Sequence, residues 1–121
     1  VRRSVAELWQ LAEQAKALRL IEKAKLRRQA EAERKRQRDA WLAKLAADFP
    51  RAWKSAHEDA NKGHAHAYDA ACRQLVDLRD AHSQHATLAA FQKGFQKFMA
   101  EHSRRRALVQ RLVKAGLWQA G

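Results

Sequence analysis

Proline occurs once in this chain, at Pro50, and none of the four glycines precedes it. Nothing in residues 1–49 therefore supplies a turn or breaks a helix. Cysteine also occurs once, at Cys72, which excludes an internal disulfide and a thiolate zinc centre and fits a reducing, cytoplasmic setting. No apolar run approaches the ~18 residues of a membrane span, and no signal peptide is read at the start, so no membrane partner is expected. No segment alternates apolar and polar residues with a period of two, which excludes an evident strand. Acidic residues are few: 13 Asp and Glu stand against 25 Lys and Arg, for a net charge of +12. That excess points to acidic partners, nucleic acid first. It is spread evenly, with 13 basic and 7 acidic residues up to Asp48 and 12 and 6 from Phe49 onward. Neither half is a purely basic tail.

What is present is Ala, Leu, Glu, Lys, Arg and Gln, the strong helix formers. Residues 1–49 read as one helix of about 70 Å, too long to bury itself on the core of a small domain. Ser4 and Glu7 form a capping box at its start. Val5, Leu8, Leu11, Ala12, Ala15, Leu18 and Ile21 recur at steps of three and four, an apolar stripe of about two and a half heptads. Glu22 and Lys25 then interrupt the seam. Residues 27–38 (RRQAEAERKRQR) are polar all round, with Glu31 placed to pair with Arg27, Arg34 and Lys35. Trp41, Leu42, Leu45, Ala46 and Phe49 restore an apolar face.

Pro50 opens a second helix with Asp48 as its cap, and that helix stops at Asn61-Lys62-Gly63. A third runs from about Ala65 to His82. Thr87 caps a fourth, in which Gly94 permits a close helix contact. Ser103 is expected to cap a fifth, closed by a Schellman motif at Lys114-Ala115-Gly116-Leu117. The fold expected is all-α: a long helical arm over residues 1–48, projecting from a compact array of four shorter helices over residues 49–121. Its core is expected to hold Trp41, Leu45, Phe49, Trp53, Tyr68, Leu75, Phe91, Phe95, Phe98, Leu108 and Leu112. Trp41 and Trp53 are expected to pack together across the Pro50 break.

Residues 67–80 (AYDAACRQLVDLRD), with residues 95–102, Arg104-Arg105, Leu108, Arg111-Leu112 and Ala115-Gly116-Leu117, resemble the C-terminal helical tail of bacterial SWIM-type zinc-finger proteins. The resemblance covers roughly residues 41–117. It implies a helical tail without the finger, since the finger's Cys/His site is not in this chain.

Chemistry-bearing residues are sparse. The six histidines, His57, His64, His66, His82, His85 and His102, sit in no zinc-binding frame and read as polar loop and helix-end residues, with no metal expected. Asp69, Asp77 and Asp80 read as a surface ion network beside Arg73 and Arg79. No nucleophile with its base and no phosphate loop is present, so an enzyme is not expected and no cofactor is implied. Two features suggest binding. Leu8, Trp9, Leu11 and Leu18 form an apolar face that wants a protein partner or a second copy of the chain. Arg27, Arg28, Arg34, Lys35 and Arg38 fall within an arc of about 120° that could follow phosphates, and Arg36 points away. Arg104, Arg105 and Arg106 are expected in the first turn of the last helix, where positive charge opposes the macrodipole unless an anion binds. The leading expectation is a non-enzymatic interaction module that assembles through the long basic helix. The alternative is a helical protein that binds nucleic acid without sequence preference.

Overall fold

The computed structural model describes residues 4–119. Its elements are α1 (Val5–Ala46), α2 (Phe49–Lys62), α3 (Ala65–His85), α4 (Leu88–His102) and α5 (Arg106–Lys114), with no strand among the described residues. The fold is all-α. Two units divide the chain, Val1–Arg38 and Asp39–Gly121.

The first unit is the greater part of α1. Its entry is locked by the capping box: the Glu7 amide donates to Ser4 Oγ at 3.2 Å, and the Ser4 amide donates to a Glu7 carboxylate oxygen at 3.3 Å. Farther along, Glu33 takes the ion pair that the sequence suggested for Glu31. It meets Arg36 at i+3 and accepts from Gln37 at i+4. Both partners lie one helical turn ahead of Glu33, where side chains meet.

The second unit contains the last two turns of α1 and all of α2 to α5. Leu42 anchors residues 39–46 and is fully buried. Asp48 caps α2 by accepting from the Arg51 amide at 3.2 Å, and Pro50 occupies the first turn. Gly63, at φ +75°, closes α2 in the left-handed region. His64 then caps α3, its Nδ1 accepting from the Ala67 amide at 3.2 Å. Thr87 caps α4 through the Ala90 amide at 3.1 Å. Gly116, at φ +79°, ends α5 in a Schellman motif: the Leu117 amide donates to the Leu112 carbonyl at 2.9 Å and the Gly116 amide to the Val113 carbonyl at 3.0 Å.

Ala56 and Ala60 on α2, with Ala71 on α3, have no side-chain bulk, so these two helices approach closely and share the largest helix–helix contact. Leu75, Leu78, Phe98, Leu108 and Leu112 are fully buried around them. Phe91, Phe95 and Phe98 stack along α4, with ring centroids 5.6 and 6.2 Å apart. Gly94 lies in this row because the Trp53 indole occupies the space beside it. A Cβ on Gly94 would sit 2.6 Å from that ring.

Three local expectations need correction. Trp41 is 45% exposed, with its indole N–H donating to Asp77 at 3.2 Å, and the buried residue on that turn is Leu42. The indole carries a donor that burial would strand; leucine does not. Ser103 is not the cap of α5. Its amide donates to the Met99 carbonyl, so it ends α4. Consequently α5 begins only at Arg106, with Arg105 in the cap position and no side-chain cap bond.

Candidate functional site

The large apolar side chains of the arm lie in solvent. Leu8, Trp9, Leu11 and Leu18 are 54, 67, 41 and 64% exposed. Val5, Leu20, Ile21 and Leu26 are exposed as well, which widens the apolar surface beyond the expected stripe. Leu20 escaped the stripe because it falls on the other side of the helix, and Leu26 because Glu22 and Lys25 break the seam before it. Eight large apolar side chains thus lie open within about six turns of one helix.

Beyond them lies the basic arc. Arg27, Arg28, Arg34 and Lys35 are exposed, and none makes an ion pair or hydrogen bond among the described residues. Arg38 is half-buried. Arg36, outside the arc, is the one neutralised by Glu33.

In the second unit the three consecutive arginines do not act together. Arg104 and Arg106 are exposed, and Arg105 is half-buried. Its Nε donates to His102 Nδ1 at 3.2 Å and a second guanidinium nitrogen to Asn61 at 3.2 Å. Arg105 is therefore committed to its own fold rather than offered to an anion.

The aspartates also separate. Asp69 pairs with Arg111, whose guanidinium holds the Asp69 carboxyl below its ordinary range. Asp77 accepts from Trp41, and Asp80 lies 3.5 Å from Arg79. A shallow groove of about 500 Å³ runs past Asp69, Cys72, Arg73, Arg111 and Lys114. Cys72 in this groove is a poor nucleophile: burial, then the nearby Asp69 charge, raises its pKa. Its thiol donates instead to the Arg111 carbonyl at 3.6 Å.

The histidines divide into three kinds. His66 and His85 are exposed, and His64 serves as the α3 cap. His82 stands in the last turn of α3, as the sequence suggested, but it is buried there inside an aromatic nest. Phe49 stacks on it with ring centroids 3.9 Å apart, and the Trp53 indole N–H donates to its Nε2 at 3.4 Å. Burial lowers its pKa, so the neutral form is favoured. His57 on α2 and His102 at the end of α4 meet, with His57 Nδ1 2.9 Å from His102 Nε2. A Glu101 carboxylate oxygen lies 3.2 Å from the first and 3.6 Å from the second. No sequence spacing announced this trio: His57 stands 44 residues from Glu101, and only the α2–α4 approach joins them.

No helix among the described residues is long and apolar enough to cross a membrane. Comparison with protein-family models, with curated proteins and with solved structures finds no match for this chain.

Proposed function

We propose that this chain is a non-enzymatic interaction module that assembles through the N-terminal part of α1. One observation carries the reading: the eight exposed apolar side chains from Val5 to Leu26. Burying a leucine or isoleucine contributes roughly 1.5–3 kcal/mol, so the helix gains by pairing along Leu8, Leu11, Leu18, Ile21 and Leu26, which share an arc of about 140°, while Val5, Trp9 and Leu20 lie on the other side. The occupant that fits best is a second copy in antiparallel orientation. Residues 4–14 carry Glu7 and Glu13 and no Lys or Arg, a net charge of −2. Residues 15–28 carry six basic residues against Glu22, a net charge of +5. An antiparallel pair sets the acidic segment against the basic one, whereas a parallel pair stacks +5 on +5. Changing Leu11 and Leu18 together to Glu is expected to abolish association while leaving the thermal unfolding of the compact unit unchanged. Retention of association by that double variant would overturn the reading. The resemblance to the tail of SWIM-type zinc-finger proteins agrees with a helical appendage but supplies no partner.

A second reading has its own observation. Arg27, Arg28, Arg34 and Lys35 are exposed and lack acidic partners among the described residues, which suits a phosphate backbone. Such binding is indifferent to sequence, since nothing in this stretch reads base edges. Titration of a random duplex and a single strand at low and moderate salt separates the readings. Phosphate binding falls by orders of magnitude over a few-fold rise in salt, while apolar helix pairing barely changes.

A further inference from the structure

We propose that His57, Glu101 and His102 form a site for a single divalent transition-metal ion, zinc by preference. Three lone-pair atoms converge here: His57 Nδ1, His102 Nε2 and a Glu101 carboxylate oxygen, separated by 2.9, 3.2 and 3.6 Å. A tetrahedral ion with ligand bonds of about 2.0–2.1 Å spaces its ligands about 3.3–3.4 Å apart, and the three observed separations straddle that value. Two imidazoles and one carboxylate are a donor set suited to zinc, and they leave a fourth position for water. The ligands stand on rigid elements, His57 within α2 and the other two in the last turn of α4. That turn is the negative end of the helix dipole, which favours a cation. Phe98 forms an apolar floor, its ring 4.9 Å from His57 and 4.5 Å from His102.

Proton bookkeeping strengthens the case. Arg105 Nε always carries a hydrogen, so its bond to His102 Nδ1 requires a lone pair there. Neutral His102 then carries its proton on Nε2 and donates it to His57 Nδ1. That leaves the His57 lone pair facing the Glu101 carboxylate at 3.2 Å, acceptor against acceptor. The reverse assignment, with His57 Nδ1 as donor, places a His102 Nδ1–H against the Arg105 N–H at 3.2 Å, donor against donor. Each neutral arrangement contains one repulsive pair. An ion at the focus uses all three lone pairs at once. It requires only that Arg105 release His102, and Arg105 keeps its bond to Asn61. Arg105 is therefore a latch that competes with the metal, since a metal-bound imidazole prefers an acceptor on its other nitrogen.

The test is calorimetric titration of the full chain with Zn²⁺, with Co²⁺ absorption reporting coordination geometry. One equivalent is expected to bind and to raise the unfolding temperature. His57→Gln and Glu101→Gln, both at partly or fully exposed positions, should each weaken binding about tenfold or more. Arg105→Gln should tighten it severalfold, a direction that loss of a merely structural contact would not produce. A triple variant of the accessible histidines, His64→Gln, His66→Gln and His85→Gln, should bind as the wild type does. The proposal is overturned by the absence of saturable binding, by affinity unchanged in His57→Gln and Glu101→Gln, or by affinity lost in the triple variant.

Discussion

Gly94 and His82 are the residues where the physical chemistry is sharpest. Glycine inside an exposed helix normally costs about 1 kcal/mol relative to alanine, so Gly94→Ala would ordinarily stabilise α4. Here the added methyl meets the Trp53 indole at 2.6 Å, and the ring is wedged against Phe91 at 5.7 Å. Gly94→Ala is expected to destabilise the protein by roughly 1–3 kcal/mol in denaturant unfolding. Combining it with Trp53→Leu should cost less than the two changes summed. His82 sets a pH limit. Burial lowers its folded-state pKa below the unfolded value of about 6.5, so its contribution is complete above that value. As pH falls from there through the folded-state value, the unfolded chain binds the proton more readily and stability is lost. The loss of unfolding temperature between pH 7 and 5 should be smaller in His82→Phe than in the wild type. An equal loss in both would assign the acid sensitivity elsewhere.

Among the elements, α4 organises the compact unit through its Phe91–Phe95–Phe98 row. Phe95 is 5% exposed, and Phe95→Ala is expected to cost about 3–5 kcal/mol by equilibrium unfolding. A loss below about 1 kcal/mol would place that ring outside the core. The helices themselves were legible in the sequence because their signals are local. Ser4 with Glu7, Asp48 before Pro50, Thr87, and Gly116 with Leu117 each act within a few residues. Most of the core followed from periodicity: Leu75, Phe91, Phe95, Phe98, Leu108 and Leu112 are buried as expected. Local reading failed where two neighbours competed. Trp41 and Leu42 stand about 100° apart on the same turn, and only the position of Asp77 decides which one faces outward. Ser103 failed for the same reason, since a serine after one helix and before another suits either end. The His57–Glu101–His102 cluster was not legible at all. It exists only because α2 and α4 approach each other, a tertiary fact with no sequence spacing to announce it.

For the whole molecule, the decisive feature is the contrast between its two units. In Asp39–Gly121 most of the large apolar side chains close on one another, with Trp41, Leu88 and Trp118 left exposed, whereas in Val1–Arg38 the described ones all remain exposed. The proposed assembly through the arm rests on that contrast. The most direct measurement is sedimentation equilibrium of the full chain over a hundredfold range of concentration, at both low and moderate salt. The expected result is a monomer–dimer equilibrium whose strength changes little with salt and which disappears in the Leu11→Glu, Leu18→Glu variant. A monomer at every concentration, with α1 fully helical by circular dichroism, would contradict assembly of this chain with itself through its arm.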